Sequence, residues 1–391
     1  MNTSQYKTVV FTRRLRSGLL LALAFLFASI ALFADETTLY SVPANDSTVS
    51  DAKVSLAGVA GHSKAVPGDA IPQPLPLEAA KGFRFEDAGT NTIALFEGDE
   101  PVYHYVYDLI TNENVPENAG RRRTRGCYLH PLFGINGEVL TDDFPRDHYH
   151  HHGLFWAWPH VQVGGEHHDF WNQTTDLQQR FVKWLVKEAG DDAAVLAVEN
   201  GWFIGERKIM TERVWLRSYR KVAGRSQAAP FPHDGSRSLD VQLFFVPEEP
   251  ITLRGAEGKS YGGLCIRFKP ELAPPGNVME NTIAKITVPA GVTTADLPEE
   301  RLMWADFASK FDGRDTVSGA AIFVPPTHPD YPPTWLTRHY GAMCVGWPGV
   351  HDRTFGSGIP FSLEYRVWVH ETDLDLQQLT DAYEAYTKEK R

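Results

Sequence analysis

Cysteine is scarce in this chain: Cys127, Cys265 and Cys344 stand far apart and are the 3 cysteines of 391 residues. Widely spaced thiols make no disulfide framework, and without a CxxC pair there is no zinc ribbon; at most one bridge can form, and buried free thiols are the simpler expectation. Positive charge is short as well. Lysine and arginine number 38 against 49 aspartate and glutamate, a formal charge of -11, which disfavours any partner held through phosphates and removes nucleic acid from the expected partners. Neither GxGxxG nor a P-loop is present, and strand and helix patterns do not alternate, so nucleotide-binding folds are not expected. No internal repeat stands at a fixed period. Beyond residue 34 no apolar run approaches the roughly 20 residues of a membrane-spanning helix.

What is present begins with a basic, then apolar, N-terminus. Lys7, Arg13, Arg14 and Arg16 precede the run Leu19 to Phe33, followed by "ADET", which reads as an export signal over residues 1–34. "TRRLR" is weakly similar to a twin-arginine signal, and an uncleaved anchor is the alternative. The expected location is periplasmic or secreted, with no membrane span in the mature protein. Residues 35–81 turn to Ser, Pro, Ala, Asp and Gly and read as a low-complexity linker. From Phe83 onward, runs such as "FRFED", "TIALF", "SLDVQLFFV" and "FSLEYRVWVH" alternate or are rich in β-branched and aromatic residues. Gly, Pro, Asp and Asn separate them, which predicts an all-β domain over 82–391, a large antiparallel β-sandwich. In "TERVWLRSY" both alternating sets carry large side chains, which predicts a strand covered on both faces. Only the tail has helical spacing, with Leu376, Leu379, Tyr383 and Tyr386 on one side of a short C-terminal helix.

The chemically loaded stretch is "DHYHHHGLFWAW", residues 147–158. If it runs extended, His148, His150 and His152 share one face, a trio able to hold a divalent transition metal with an open position. The metal-free reading needs less: His148 or His150 with Asp147 as orienting carboxylate makes an acid/base pair, and Trp156 supplies a stacking floor for a sugar ring. The bland alternative is that the histidines cap a turn. "GGEHHDFW" could contribute a second cluster if the fold returns it. The stretches "MWADF" and "PPTHPDYPPTWLTRHYG" mix aromatic, carboxylate, cationic and imidazole groups and read as binding loops. Arg267 and Arg366 sit inside apolar strands, where a guanidinium must be paired.

The blocks "CYLHPLFGINGEVLTDDFPRDHYHHHGLFWAW", "HHDFW", "GGLCIRF", "MWADFASKFDG", "SGAAIFVPPTHPDYPPTWLTRHYG" and "SLEYRVWVH", in that order, resemble the bacterial family labelled methane oxygenase PmoA, or PmoA-like. The resemblance covers about residues 83 to 371. The label implies a copper-dependent monooxygenase subunit, an integral membrane protein with several spans, whereas this chain has no candidate span after residue 34. The resemblance therefore implies an exported protein of sugar-degrading bacteria, with a fold similar to the galactose-mutarotase-like β-supersandwich. Matching positions are His130, Asp147, His148, His150, His151, Asp169, Trp171, Arg267, Trp304, Asp306, Trp335, Arg338 and Tyr340. The chain departs from the pattern at Pro325–Pro326, where a His-Pro pair is common, and at Tyr261, where a glutamate is common.

These readings combine into one expectation: a protein that acts on or binds a carbohydrate, with a small molecule or oligosaccharide as its partner. His148, His150 and Asp147 would form the acid/base site, and Arg267 and Arg338 would stabilise developing negative charge. His130, Trp156, Asp169, Trp171, Trp304, Asp306, Trp335 and Tyr340 would contact substrate. Isomerase, lyase and hydrolase chemistry all fit. The alternatives are a non-catalytic carbohydrate-binding protein and a metal-dependent oxygenase, the latter with His148, His150 and His152 as ligands. A divalent transition metal is the one cofactor the sequence suggests.

Overall fold

The computed structural model describes residues 82–221, 235–272 and 283–390; the export signal and linker expected over 1–81 lie outside them. Two nine-stranded antiparallel sheets dominate. The first runs, in spatial order, Phe83–Asp87, Thr92–Glu97, Glu100–Val106, Tyr128–Leu132, Leu154–Ala157, Gly263–Arg267, Ala342–Gly346, Thr334–Arg338 and Pro298–Arg301. The second runs Leu177–Ala189, Ala193–Ile204, Arg207–Tyr219, Ser236–Pro247, Phe361–His370, Val317–Phe323, Trp304–Lys310, Lys285–Val288 and Gly291–Thr293. A four-stranded sheet is built from Arg353–Phe355, Ile251–Arg254, His160–Val163 and Glu166–His168. This is the large antiparallel β-sandwich that the alternating runs predict. Among the described residues no helix is long and apolar enough to cross a membrane.

Period-two patterning explains which faces are buried. In "FSLEYRVWVH" the set Leu363, Tyr365, Val367 and Val369 enters the main core between the sheets, while Trp368 points to the other side. There it meets Trp304 and Phe323 from the same sheet and Leu379, Tyr383 and Tyr386 of the helix Leu376–Glu389. The helix begins at Asp375, whose carboxylate accepts from the Gln378 backbone N–H while the Gln378 side chain accepts from the Asp375 N–H, a reciprocal cap that satisfies two otherwise unpaired donors. Leu376, expected on the buried side, is the first residue of the helix and is 39% exposed. Arg366 is paired, as a strand arginine must be, to Asp240 on the neighbouring strand and to Glu389 of the helix at 2.9 Å. Arg207–Tyr219 differs from expectation. Its Val214 and Leu216 are buried, but Arg213 and Arg217 are exposed, so only one face is covered.

Between the sheets a single carboxylate collects donors from both. Glu212 is fully buried and accepts from Trp202 Nε1 (2.7 Å), Asn200 Nδ2 (2.9 Å) and Gln179 Nε2 (2.5 Å) on its own sheet, and from Trp156 Nε1 (2.9 Å) on the opposite one. Arg125 lies beside it, donating to Gln179 Oε1 at 3.3 Å and to the Trp156 carbonyl at 3.1 Å. Burial pushes the Glu212 carboxyl above its ordinary range, and the four hydrogen bonds offset only part of that rise. Replacing Glu212 by leucine leaves those donors, two of them indole N–H groups, unpaired in the interior. The expected cost is about 3–5 kcal/mol in urea denaturation; a loss below about 1 kcal/mol would mean that the carboxylate does not hold the sheets together.

Candidate active site

The histidine run does not continue as a strand. The strand covers only Leu154–Ala157, and before it the chain makes successive turns: His148 N donates to the Pro145 carbonyl (3.0 Å), His151 N to the His148 carbonyl (2.8 Å), and Phe144 N to the His151 carbonyl (3.1 Å). Two anchors tie this loop to the first sheet. Arg267 N donates to the Gly153 carbonyl at 2.8 Å, and Asp142 N donates to the Arg267 carbonyl at 2.9 Å. Gly153 has to be glycine, since a Cβ there would stand 2.1 Å from the Leu129 carbonyl oxygen of the adjacent strand.

Because the loop turns, Asp147, His148 and His151 come together. One guanidinium nitrogen of Arg267, Nη2, reaches both carboxylate oxygens of Asp147, at 3.0 and 2.9 Å. Asp147 Oδ2 also meets His148 Nδ1 at 2.8 Å. The His148 ring lies flat between two others, 4.5 Å from His151 at 5° and 5.4 Å from Tyr340 at 10°. The Arg267 guanidinium sits over the other partner of the stack, 4.6 Å from the Tyr340 ring centre. Arg267, Asp147, His148 and Tyr340 thus close a ring of contacts. His150 meets His148 and His151 edge-on at 5.6 and 4.7 Å, and Trp171 packs edge-on against His151 at 5.8 Å and beside Tyr261 at 4.7 Å. Of these groups the His148 side chain is 28% exposed and Arg267 2%, so solvent reaches the imidazole while the guanidinium is sealed beneath it.

A second carboxylate–imidazole pair lies next to the first. Asp143 accepts from Tyr128 Oη at 2.8 Å and stands 2.7 Å from His152 Nδ1. His130 lies on the same side, with Nδ1 3.1 Å from Thr141 Oγ1. The charge states follow from burial and pairing. Burial alone would raise Asp147, but the His148 hydrogen bond and the Arg267 charge outweigh it and hold the carboxyl at about 2. For Asp143 burial prevails over the His130 and Arg125 charges and the Tyr128 hydrogen bond, and raises it to about 6. Burial lowers His150 to about 3, with His148 and His152 adding repulsion, and takes His151 and His152 well below the ordinary imidazole range. Burial likewise lowers His130 and raises the Tyr340 hydroxyl.

Several residues expected at the site are elsewhere. His148, His150 and His152 do not form a ligand trio: the chain turns instead of alternating, His152 is bound to Asp143, and among the described residues no group of three His, Cys, Asp or Glu side chains is placed to hold a metal ion. Trp156 enters the sandwich and donates to Glu212, so it is no sugar platform. Trp304 belongs to the apolar cluster under the helix, and Asp306, fully buried, meets His370 Nε2 at 2.9 Å. Trp335 is fully buried with Nε1 on the Leu302 carbonyl at 2.8 Å. Arg338 and His339 both pair with Asp296, at 3.3 and 2.9 Å, rather than with any histidine of the loop. Asp169 caps a turn, accepting from Asn172 N at 2.7 Å. Trp171 stays with the cluster but is buried against it rather than facing outward. The sequence reading did not select Asp143 or Tyr128, and treated Tyr261 only as a departure; "TDDFPRDH" carried a signal, since its paired aspartates sit within reach of the histidines.

The burial of these imidazoles has a thermodynamic consequence. Between the folded values and the ordinary 6.5, the unfolded chain holds protons on His150, His151 and His152 that the folded chain does not, so stability rises with pH across that window. Asp143 acts in the opposite sense between 3.8 and about 6, where the folded chain holds the extra proton. Asp142 and Glu212, raised by burial, act with Asp143, but His104, His130 and His328 are lowered like the three loop imidazoles and Asp147 is held low, so the urea midpoint should fall as pH is lowered from 7 to 4. His150→Asn should make that fall shallower, and an unchanged slope in the variant would contradict the assignment.

No curated protein matches this sequence. Among solved structures, a galactose mutarotase related enzyme from Lactobacillus acidophilus overlaps 75% of this chain and 99% of its own at 8% identity and a TM-score of 0.30. The GalM/aldose epimerase homologue from C. elegans overlaps 75% of this chain and 100% of its own at 8% identity and a TM-score of 0.28. Overlaps this loose bear on neither substrate nor chemistry. A family model does match, over residues 92–384, a span that holds the histidine loop, Arg267 and Tyr340 together. The chain belongs to the family of unknown function DUF6807.

Proposed function

We propose that the loop carrying Asp147, His148 and His150 is an acid/base site for a carbohydrate, with Arg267 and Tyr340 as its fixed base. The observation that carries the reading is the Arg267–Asp147–His148 chain of contacts. An ionised carboxylate only accepts hydrogen bonds, so the 2.8 Å contact requires His148 Nδ1 to carry the proton. Nε2 is then the basic nitrogen. When it takes a proton from substrate, the imidazolium forms beside a carboxylate that is already ionised, and the charge is stabilised where it appears. Arg267 keeps Asp147 in that state, a positioning role rather than a contact with substrate. Isomerisation, elimination and hydrolysis all share this proton-transfer step.

The substrate class rests on the character of the surrounding groups. His150 and His151 are held neutral by burial, and each has an Nδ1 with no protein partner. A neutral imidazole offers one donor and one acceptor, as a hydroxyl does, so a polyhydroxylated ligand matches this set better than an anion. The resemblance to the PmoA-labelled family enters the same proposal, with export to the periplasm or the medium directed by the basic and apolar N-terminus. The oxygenase reading depended on a three-imidazole ligand set that this loop does not form, and is not part of it.

The test is a screen of neutral sugars and glycosides followed by proton NMR, repeated with His148→Gln. The wild-type protein should convert at least one of them, and the variant should lose about 10²–10⁴-fold in kcat with KM changed only a few-fold. Retained kcat in His148→Gln would refute the assignment of His148. Sugars that bind and are recovered unchanged would make the protein a carbohydrate-binding module instead.

A further inference from the structure

Beneath the site, two of the three cysteines face each other across neighbouring strands. Cys265 on Gly263–Arg267 is the direct register partner of Cys344 on Ala342–Gly346, and both side chains are buried thiols. Directly opposed residues of an antiparallel pair have Cα atoms about 4.5–5.5 Å apart, inside the range of about 4.4–6.8 Å that a disulfide spans. The two Sγ atoms stand 2.7 Å apart, closer than unbonded sulfurs pack. The third thiol, Cys127, is elsewhere, with its Sγ 3.4 Å from the Tyr107 carbonyl. Strand alternation puts Cys265 on the same face as Arg267, two residues further on, while Cys344 follows Tyr340 on the next strand.

The structure assigns Cys265 and Cys344 as a cross-strand disulfide that fastens the strand bearing Arg267 to the strand that follows Tyr340. The chemistry is exchange with a disulfide-class oxidant. One cysteine thiolate attacks the oxidant's S–S bond, releasing one thiol and forming a mixed disulfide. The second thiolate then attacks the mixed disulfide, releasing the second thiol and closing the bond. The protein loses two protons and two electrons, and the oxidant gains them. Burial pushes the Cys265 thiol well above its ordinary range, which favours closure during folding rather than after it. The inference stands independently of the proposed acid/base chemistry, although the bond would lie under it. An exported location would supply the oxidising surroundings that such bridges need.

The experiment is to denature and reduce the full chain, then refold it in an oxidising glutathione buffer or in dithiothreitol. Alkylation in denaturant and peptide mapping follow. After oxidative refolding only Cys127 should be alkylated, and one peptide should link Cys265 to Cys344; after reductive refolding all three should be alkylated, with a lower Tm. Cys344→Ala should show alkylation at both remaining thiols under either condition. To keep the test independent of refolding, Cys127→Ala produced through an export pathway and acid-quenched should have the intact mass of the oxidised pair, lighter by two hydrogens. Full alkylation of Cys265 and Cys344 after oxidative refolding, together with the unoxidised mass in the exported variant, would overturn the assignment, as would a linked peptide that contains Cys127.

Discussion

A guanidinium almost wholly removed from water has to find a negative charge, and at Arg267 the surrounding loop is arranged around that need. Its side chain spans both oxygens of Asp147, its N–H binds the Gly153 carbonyl and its carbonyl accepts from Asp142. One residue therefore holds the histidine loop at its start, in its middle and at its end. Removing Asp147 alone would leave an uncompensated buried charge, a cost of about 3–5 kcal/mol. The same pairing keeps Asp147 ionised and so decides which nitrogen of His148 carries a proton. In the proposed site, fold and chemistry meet in a single ion pair.

The interior solves a similar problem without an ion pair in direct contact. Glu212 is satisfied by four neutral donors, and one of them, Trp156, belongs to the strand that the histidine loop runs into. The loop's downstream end is fixed to the opposite sheet two residues beyond the start of that strand. Rigid elements on both sides hold the position of a reacting group more closely than a free loop can. The cluster's aromatic members, Tyr340, Trp171 and His151, are packed into the protein rather than displayed on it. The partly exposed His148, with Asp147 and His150 beside it, joins the packed layer to solvent.

The strands were legible because alternation survives in any one of them: "FRFED" and "FSLEYRVWVH" coincide with Phe83–Asp87 and Phe361–His370. The histidine loop was legible in composition but not in shape. Nothing inside "DHYHHH" marks a turn; the punctuation lies outside it, at Pro145 and Gly153, and the backbone hydrogen bonds that bend it have no sequence signature. An extended reading put His148 and His151 on opposite faces, whereas the turn stacks them. Large aromatics misled for a different reason. Trp156, Trp304 and Trp335 resemble sugar platforms in composition, but Trp156 and Trp335 are buried between the sheets and Trp304 under the helix, because burying an indole removes a large apolar surface from water. The pairing of Arg267 with Asp147 spans 120 residues, a distance at which spacing carries no information and only the fold brings partners together.

In the proposed site, Asp147, held ionised by Arg267, sets the tautomer of His148. Nitrogen-15 NMR of the histidine-labelled protein at neutral pH reads this directly. The neutral tautomer of His148 should carry its proton on Nδ1 and its lone pair on Nε2, and the balance of tautomers should shift in Asp147→Asn. A His148 ring protonated at Nε2 in the wild-type protein, or spectra of His148 that are identical in the two proteins, would contradict it.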